Sequence, residues 1–300
     1  MNELRLLQQV LPLLKQNAAT LVGPGDDCAV IQVGGELLLL AVDQVIAGVH
    51  YRPDTAPEAV AAKLLKRNLS DIAAMGGTPF CALLTLAGNN RDESWYLRFF
   101  RGLAACAEQY NVSVSGGDLA VLPPGSPPEA LVATLTITGK ATPGKLCRRN
   151  RAMPGQTIMT TGQFGLSFSS GHHLDFTPRL AEAAFLAGTY TNCMIDVSDG
   201  LLLDASRLAA ASGVGMIFAP ERIPRRNGAD LTAALSDGED YELVFTVNPA
   251  AVAALRSSWP FTTPLTAIGT TVAAHPGLVF DENGVNLSAT HKTGYEHTSE

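Results

Sequence analysis

An alanine-rich segment, Pro57-Glu-Ala-Val-Ala-Ala-Lys-Leu-Leu-Lys-Arg-Asn-Leu-Ser-Asp-Ile-Ala-Ala-Met75, is followed directly by Gly76-Gly77. Proline suits the first turn of a helix, and glycine commonly follows the last turn. The segment therefore predicts one long helix over 57–75, with Lys63 and Lys66 on its solvent-exposed face. The strand-like run that follows the glycines, over 80–86, predicts that the helix leads directly into a sheet.

Strands and helices alternate on both sides of this helix. On its N-terminal side the pattern predicts a helix over 3–15 and a hairpin of strands 28–33 and 37–42. The remaining elements are, in chain order, a helix over 92–110, strands over 112–115, 131–138 and 157–161, a helix after Pro178, a strand over 193–197, a helix over 200–212, a strand over 214–218, a helix over 228–235 and a strand over 241–247. A loop is predicted over 122–128, which is rich in proline. The alternation predicts an α/β or α+β fold with two layers in each domain.

A domain boundary is predicted where Pro, Gly and Arg cluster between Pro143 and Gly155. Beyond this segment the alternation of strands and helices starts again. The chain of 300 residues is long enough for two domains. We therefore expect residues 1–143 and residues 144–300 to form separate domains.

Charge and hydropathy exclude several classes of protein. The net charge is −7, and the chain lacks the basic stripe of a nucleic-acid-binding surface. The longest aliphatic run, over 37–42, is far shorter than the ~20 residues that a membrane span needs. The five cysteines are scattered and never form a C-x-x-C pair. Reduced, packed thiols in a cytoplasmic protein are the simplest interpretation.

Acidic residues collect in short motifs, most of them beside glycine. An Asp beside a Gly is common in ordinary turns, and Asp or Ser often caps a helix, so each motif alone favours a structural role. Taken together, they indicate a site for Mg²⁺ and phosphate groups, since Mg²⁺ prefers carboxylate oxygens and glycine lets the backbone approach a phosphate closely. The motifs are Gly25-Asp-Asp27, Val42-Asp43, Asn68-Leu-Ser-Asp71, Gly116-Gly-Asp118, Asp196-Val-Ser-Asp-Gly200 and Gly238-Glu-Asp-Tyr-Glu242.

The common nucleotide-binding and hydrolase motifs are absent. The chain has no G-x-x-x-x-G-K-[ST] loop, no G-x-G-x-x-G after a strand, no H-E-x-x-H and no G-x-S-x-G. A nucleotide site in this chain would therefore consist of acids, metal ions and glycine turns.

The set of motifs resembles the thiamine-monophosphate kinase family. The resemblance rests on their order and spacing from about residue 3 to Tyr295, and it is carried by Gly23-Pro-Gly-Asp-Asp-Cys28, Asp43, Gly48-Val-His50, Asn68-Leu-Ser-Asp-Ile-Ala-Ala-Met-Gly76, Gly116-Gly-Asp118, Ile195-Asp-Val-Ser-Asp-Gly-Leu201 and Asp237-Gly-Glu-Asp-Tyr-Glu-Leu243. It implies a two-domain fold like that of aminoimidazole-ribotide synthetase. The N-terminal domain would close a β-barrel with its twin in a homodimer, and a C-terminal α+β domain would pack beside it.

The resemblance also implies an activity and a set of site residues. The reaction would transfer the γ-phosphoryl group of ATP to thiamine monophosphate, and neither nucleic acid nor membrane would be a partner. Asp71 and Asp199 would be catalytic. Magnesium ions would be bound by Asp27, Asp43, Asp71, Asp118, Asp196 and Asp199; ATP by Gly117, Asp118, Arg149 and Ser198; and thiamine monophosphate by His50, Glu239 and Tyr295.

The proposed chemistry needs charge neutralisation more than proton transfer. A phosphate monoester loses its second proton near pH ~6, so the acceptor is already an anion and needs no general base. Two phosphate-bearing anions must still meet in line, and metal-bound carboxylate sites serve that purpose. Taken alone, Arg149, His50 and Tyr295 each favour a structural or solvated role, and His172-His173 favours a surface loop.

Some positions depart from the family pattern and keep alternatives open. Ala41-Val42 and Gln44 replace hydroxyl residues around Asp43, Leu119 replaces a common Thr, and Asp237 replaces a Gly. They leave the number of magnesium ions and the choice of acceptor open. The alternatives are a related enzyme with another acceptor, a catalytically silent nucleotide-binding relative, and a metal-dependent phosphatase.

Overall fold

The computed structural model describes residues 3–89, 93–127 and 129–295. Asp92 and Pro128, which begin the predicted helix and end the predicted loop, lie outside the described residues. The helices are Glu3–Val10 (α1), Pro57–Ala74 (α2), Glu93–Gln109 (α3), Ser167–Ser170 (α4), His172–Asp175 (α5), Leu180–Leu186 (α6), Leu201–Ser212 (α7), Leu231–Ser236 (α8), Val252–Ser258 (α9) and Leu287–Thr290 (α10). The strands are Thr20–Val22 (β1), Ala29–Val33 (β2), Glu36–Ile46 (β3), Thr78–Gly88 (β4), Ser113–Val121 (β5), Leu131–Ala141 (β6), Thr157–Thr161 (β7), Met194–Asp196 (β8), Gly215–Phe218 (β9), Leu243–Val247 (β10), Leu265–Val272 (β11) and Val279–Asp281 (β12).

The first six strands form one sheet in the order β1-β2-β3-β6-β4-β5. All neighbours are antiparallel except β4 and β5, which run parallel. Within the described chain this sheet is open, with β1 and β5 at its edges, so no closed barrel is present in one copy. Every residue of β5 is exposed.

Two strands of this sheet are longer than the sequence predicted. The strand β3 continues past Val42 to Ile46 because it pairs with β6 along that whole length, so Asp43 lies inside a strand opposite Leu135. The strand β5 includes the predicted glycine turn at 116–118. A side chain at Gly117 would place its Cβ only 1.8 Å from the carbonyl oxygen of Leu84, so this glycine is explained by close strand packing.

The last six strands form a second sheet in the order β12-β9-β11-β7-β10-β8. The strands β11 and β12 were not predicted from the sequence. Their neighbour β9 pairs with β11 antiparallel and with β12 parallel. The fold is therefore mixed α/β, as predicted, with one sheet in each half of the chain.

The helix α2 lies between the two halves. It packs on α3, β3 and β6 on one side and on α5, α6 and β8 on the other. The prediction that Lys63 and Lys66 face solvent is wrong: Lys63 is fully buried, and Lys66 is 8% exposed. Lys66 Nζ donates to the carbonyl oxygens of Leu174 at 2.6 Å and Phe176 at 2.8 Å. The lysines thus connect the helix to the C-terminal half.

The remaining predictions concern the first helix, the His172-His173 pair, the cysteines and membrane-spanning segments. The predicted helix over 3–15 ends at Val10, and Pro12 lies in the short 3₁₀ turn that follows. His172-His173 form the helix α5 rather than a surface loop, and His173 is buried. All five cysteines are free thiols. Among the described helices, none combines the length and apolar character that crossing a membrane requires.

Candidate active site

Three aspartates from distant parts of the sequence meet between the two halves of the molecule. Asp27 lies in the loop before β2, Asp71 on the last turn of α2, and Asp196 at the end of β8. One carboxylate oxygen from each lies within 4.8 Å of the other two. We call these three residues the carboxylate cluster.

The carboxylate cluster holds more negative charge than its protein neighbours neutralise. Arg149 forms a two-pronged contact with Asp27, with Nη2–Oδ1 at 2.7 Å and Nε–Oδ2 at 3.2 Å. Asp196 accepts a hydrogen bond from Ser70 Oγ at 2.7 Å. Burial raises the pKa of Asp71 and of Asp196 well above the ordinary value, and neighbouring carboxylates raise both further. Bringing a cation to this point would relieve the repulsion.

The other predicted metal ligands lie outside this cluster of three. Asp43 is paired with Arg67, with Nη2–Oδ1 at 3.2 Å. Asp199 is paired with Arg207 at 2.6 Å. Asp118 is on the exposed edge strand β5. Their roles as ligands stay predictions.

The turn that carries Ser198 and Asp199 is fixed by a residue that sequence reasoning missed. Asp204 on α7 accepts hydrogen bonds from the backbone N–H groups of Ser198, Asp199 and Gly200 at 3.0–3.2 Å. Burial raises its pKa to about 6, while Arg207 lowers it in part through a 2.7 Å contact. An acid four residues after Gly200, in the first turn of a helix, is a signal that could have identified this role.

A cavity of about 390 Å³ brings together the three residues predicted to bind thiamine monophosphate. His50, Glu239 and Tyr295 line it together with Ser198 and Asp199. These residues come from both halves of the chain, so the cavity exists only when the halves are packed together. We call it the acceptor cavity; it is also lined by Gly48, Val49, Arg67, Phe168, Asp237 and Tyr241.

The buried Lys63 contacts Glu239, His50 and His173, of which Glu239 and His50 line the acceptor cavity. Its Nζ donates to Glu239 Oε1 at 2.6 Å, to the carbonyl oxygen of His50 and to His173 Nδ1 at 2.8 Å. Burial lowers the pKa of Lys63 to about 8, and the Glu239 carboxylate offsets part of that effect. Burial and the Lys63 charge also lower the pKa of His173 to about 4, so this imidazole is a neutral acceptor near pH 7. Helical spacing alone gave no sign of this network.

The segment Gly238-Glu-Asp-Tyr-Glu242, which we call the acidic turn, is held in a strained backbone conformation. Glu239 has φ of 55° and Tyr241 has φ of 51°, in the left-handed region that non-glycine residues rarely adopt. Gly238 has φ of 72°, and an added Cβ would lie 2.8 Å from the carbonyl oxygen of Ser198. Such strain is common at functional sites.

The predicted ATP-binding residues lie in three places. Arg149 lies at the carboxylate cluster and Ser198 at the acceptor cavity. Gly117 and Asp118 instead line a second cavity of about 520 Å³, together with apolar residues of β4, α3 and β5. The structure of one copy therefore does not bring all four into one cavity.

The similarity of this chain to known proteins identifies its family. Residues 25–141 match the family described as AIR synthase related protein, N-terminal domain. The chain is 33% identical to thiamine-monophosphate kinase of Salmonella typhimurium, over 92% of this chain and 91% of the relative, and 32% identical to that of Escherichia coli K12 over the same shares. A solved structure of AaThiL complexed with AMPPCP and TMP superimposes with a TM-score of 0.84 at 26% identity, covering 99% of this chain and 97% of the other.

The family match first assigns residues 25–141 to the class of AIR synthase related N-terminal domains. More narrowly, the chain belongs to the thiamine-monophosphate kinase family. The family resemblance that the sequence motifs indicated is thereby confirmed.

Proposed function

We propose that this protein transfers the γ-phosphoryl group of ATP to thiamine monophosphate, which gives thiamine diphosphate and ADP. The observation that carries the proposal is the position of the acceptor cavity beside the carboxylate cluster. Arg67 lines the cavity and precedes Asp71 of the cluster by about one turn of the helix α2. The similar solved structure contains an ATP analogue together with TMP, and the relatives carry the corresponding kinase name.

The carboxylate cluster fits magnesium. Three carboxylates that converge within 4.8 Å, with one arginine among them, offer the hard oxygen donors that Mg²⁺ prefers. Asp27, Asp71 and Asp196 would hold the ion, and we propose Asp43, Asp118 and Asp199 as ligands of further ions. When bound, Mg²⁺ supplies neutralisation of phosphate-oxygen charge.

The chain's own residues position the two substrates. Asp71 and Asp199 are the proposed catalytic residues, since their carboxylates would hold Mg²⁺ ions that neutralise the phosphate groups of the nucleotide and the acceptor. Arg149, Ser198, Gly117 and Asp118 are the proposed ATP contacts. His50, Glu239 and Tyr295 are the proposed contacts for thiamine monophosphate, and Lys63 holds Glu239 and the backbone of His50 in place.

The exposed strand β5 supports a proposed homodimer. As the last strand of its sheet it offers unpaired backbone groups, and it exposes Val114, Leu119 and Val121. Such an edge is ordinarily covered in a native protein. Two copies joined here would complete the dimeric β-barrel and bring a second chain beside Gly117 and Asp118. We assign dimerisation to residues 1–143 as one domain, with residues 144–300 as the second.

The proposed place of action is the cytoplasm. The substrate ATP is abundant there, and the free, largely buried thiols suit a reducing compartment. Fractionation of cells that express a tagged protein would test this placement.

Purified protein with ATP, Mg²⁺ and thiamine monophosphate tests the function directly, with thiamine diphosphate measured by chromatography. A reaction without ATP and an Asp199→Asn variant run in parallel. We expect diphosphate only in the complete reaction with the native chain. Light scattering on the same sample measures the mass and so tests the dimer.

Each alternative predicts a different result. Phosphate release from thiamine monophosphate without ATP would indicate a phosphatase. ADP release with another acceptor would indicate a related enzyme. ATP binding without turnover of any acceptor would indicate a silent relative, in line with the departures from the family pattern at Ala41, Val42 and Leu119.

A further inference from the structure

Two buried polar atoms without hydrogen-bond partners lie beside the acceptor cavity. They are Nε of Arg67 and Oη of Tyr241, and neither has a partner among the residues that the structure describes. Both residues line the cavity. Buried polar groups are nearly always paired, so two such atoms at one cavity indicate groups that are completed by a ligand.

Contacts with the surrounding protein hold both side chains in place. The Arg67 guanidinium donates through Nη1 to the carbonyl oxygen of Gln44 at 2.9 Å and through Nη2 to Asp43 Oδ1 at 3.2 Å. Tyr241 is 1% exposed, and its ring stacks on Phe176 with the centroids 4.0 Å apart. Neither group therefore needs to be ordered when a ligand arrives, which favours binding.

Charge distinguishes Arg67 from the other lining residues. Two of the three lining carboxylates are paired with a cation, since Lys63 lies 2.6 Å from Glu239 and Arg207 lies 2.6 Å from Asp199. The third, Asp237, accepts a hydrogen bond from the backbone N–H of Leu166 at 2.8 Å. Arg67 is the residue in that lining with a permanent positive charge. An anionic group that enters the acceptor cavity is therefore attracted to Arg67.

The position of Arg67 also suits the reaction. It precedes Asp71 by four residues on α2, so the two side chains lie on the same face of the helix. Arg67 therefore lines the acceptor cavity and also lies about one helical turn from an aspartate of the carboxylate cluster. Burial raises the pKa of Tyr241 well above its ordinary value, although Arg67 lowers it in part, so the phenol stays a hydrogen-bond donor.

We infer that Arg67 and Tyr241 together bind the phosphate group of thiamine monophosphate and orient it toward the carboxylate cluster. The guanidinium and the phenol donate hydrogen bonds to phosphate oxygens that remain in place during the transfer. The inference rests on the proposed function, because it names the residues that recognise the acceptor of that reaction.

Calorimetric titration with thiamine monophosphate and with thiamine, which lacks the phosphate, separates this role from a general one. We expect Arg67→Gln to weaken binding of thiamine monophosphate about 10- to 100-fold, as the loss of a charge-assisted hydrogen bond does, and to leave thiamine binding within about twofold. Tyr241→Phe should weaken it about 3- to 10-fold. Arg67→Lys, which keeps the charge, should fall between native protein and Arg67→Gln.

Control measurements test for a merely structural effect. Arg222→Gln removes an arginine that is 63% exposed and should bind both ligands like the native chain. The affinity for AMPPCP should stay the same in all variants, and in turnover the KM for thiamine monophosphate should rise without a change in the KM for ATP.

Two results would overturn the inference. One is unchanged binding of thiamine monophosphate by both Arg67→Gln and Tyr241→Phe. The other is recovery of that binding when Asp43→Asn is added to Arg67→Gln, since Arg67 would then serve only to neutralise Asp43. A native chain that forms no thiamine diphosphate would instead refute the proposed function itself, so the two failures are distinguishable.

Discussion

The carboxylate cluster and the acidic turn are both rich in acids, yet they neutralise their charge differently. In the acidic turn each carboxylate has its own cation: Glu239 with Lys63 at 2.6 Å, Asp240 with Arg226 at 2.9 Å, and Glu242 with Arg179 at 2.5 Å. In the carboxylate cluster only Asp27 has one, Arg149, among the residues that the structure describes. The acids of the acidic turn are thus neutralised within the protein, whereas Asp71 and Asp196 have no cation among the described residues and are available to a bound one.

The largest expected effect tests the carboxylate cluster. Asp71→Asn removes one charge from the carboxylate cluster, so we expect the rate of thiamine diphosphate formation to fall roughly 10³-fold, in the range for loss of an electrostatic catalytic group. Without magnesium the variant should unfold at the same or a higher temperature, because repulsion is relieved. Steady-state kinetics and thermal unfolding with and without Mg²⁺ measure both.

The matched control for that variant is Asp54→Asn, which changes an exposed aspartate of a loop. It should keep the native rate. Native activity in Asp71→Asn would remove the carboxylate cluster from the mechanism.

A second expected effect tests the ion-paired acids of the acidic turn. Arg179→Met leaves Glu242, whose side chain is 2% exposed, without its cation. Removal of one partner of a buried pair costs about 3–5 kcal/mol, so the free energy of unfolding in urea should fall by that amount. Arg222→Met, at an exposed position, should leave the urea midpoint unchanged. A loss in Arg179→Met no greater than in this control would show that the pair is dispensable.

The smallest expected effect is a pH dependence of the free energy of unfolding, which tests the role of Lys63. Burial lowers its pKa from 10.5 in the unfolded chain to about 8 in the folded one. Between those values the unfolded chain binds the extra proton, so the free energy of unfolding gains up to about 1.4 kcal/mol per pH unit as pH rises from 8 to 10.5.

Lys63→Met should remove this gain, because the titrating group is gone. Lys145→Met, at an exposed position, should keep it. Urea unfolding at several pH values in that window compares the three proteins. Equal slopes in all of them would show that Lys63 titrates as an exposed lysine does.

Much of the secondary structure followed from local patterns. The helix over 57–75 and the strands β2, β6, β7 and β10 agree with the structure because their hydrophobic spacing and flanking glycines or prolines are local signals. The ends of β3 and β5 were wrong because strand length depends on the partner: β6 extends β3 past Val42, and β4 extends β5 past Ser115. The short strands β11 and β12 gave no pattern strong enough to predict them.

The sequence predicted residues of the candidate site but not how they are arranged in space. The family resemblance predicted Asp27, Asp71 and Asp196 as metal ligands, and the structure brings these three together. It also predicted His50, Glu239 and Tyr295 as substrate contacts, which the structure brings into one cavity. The roles themselves stay predictions. Three cations on helices were missed: Lys63 is fully buried, and the side chains of Arg67 and Arg207 are partly buried, at 13% and 39% exposed. Their burial depends on what packs against each helix, which spacing within one helix does not reveal.

The sequence by itself determined the mixed α/β class, the family and the acids that are candidates for metal binding, because each depends on residue type and order along the chain. Only the tertiary structure decided which of those acids meet and which are already neutralised. Ion pairing depends on distances between residues far apart in sequence, as between Lys63 and Glu239. The packing of α2 between the two halves sets those distances, and so decides which acids are neutralised within the protein and which are available to a bound cation.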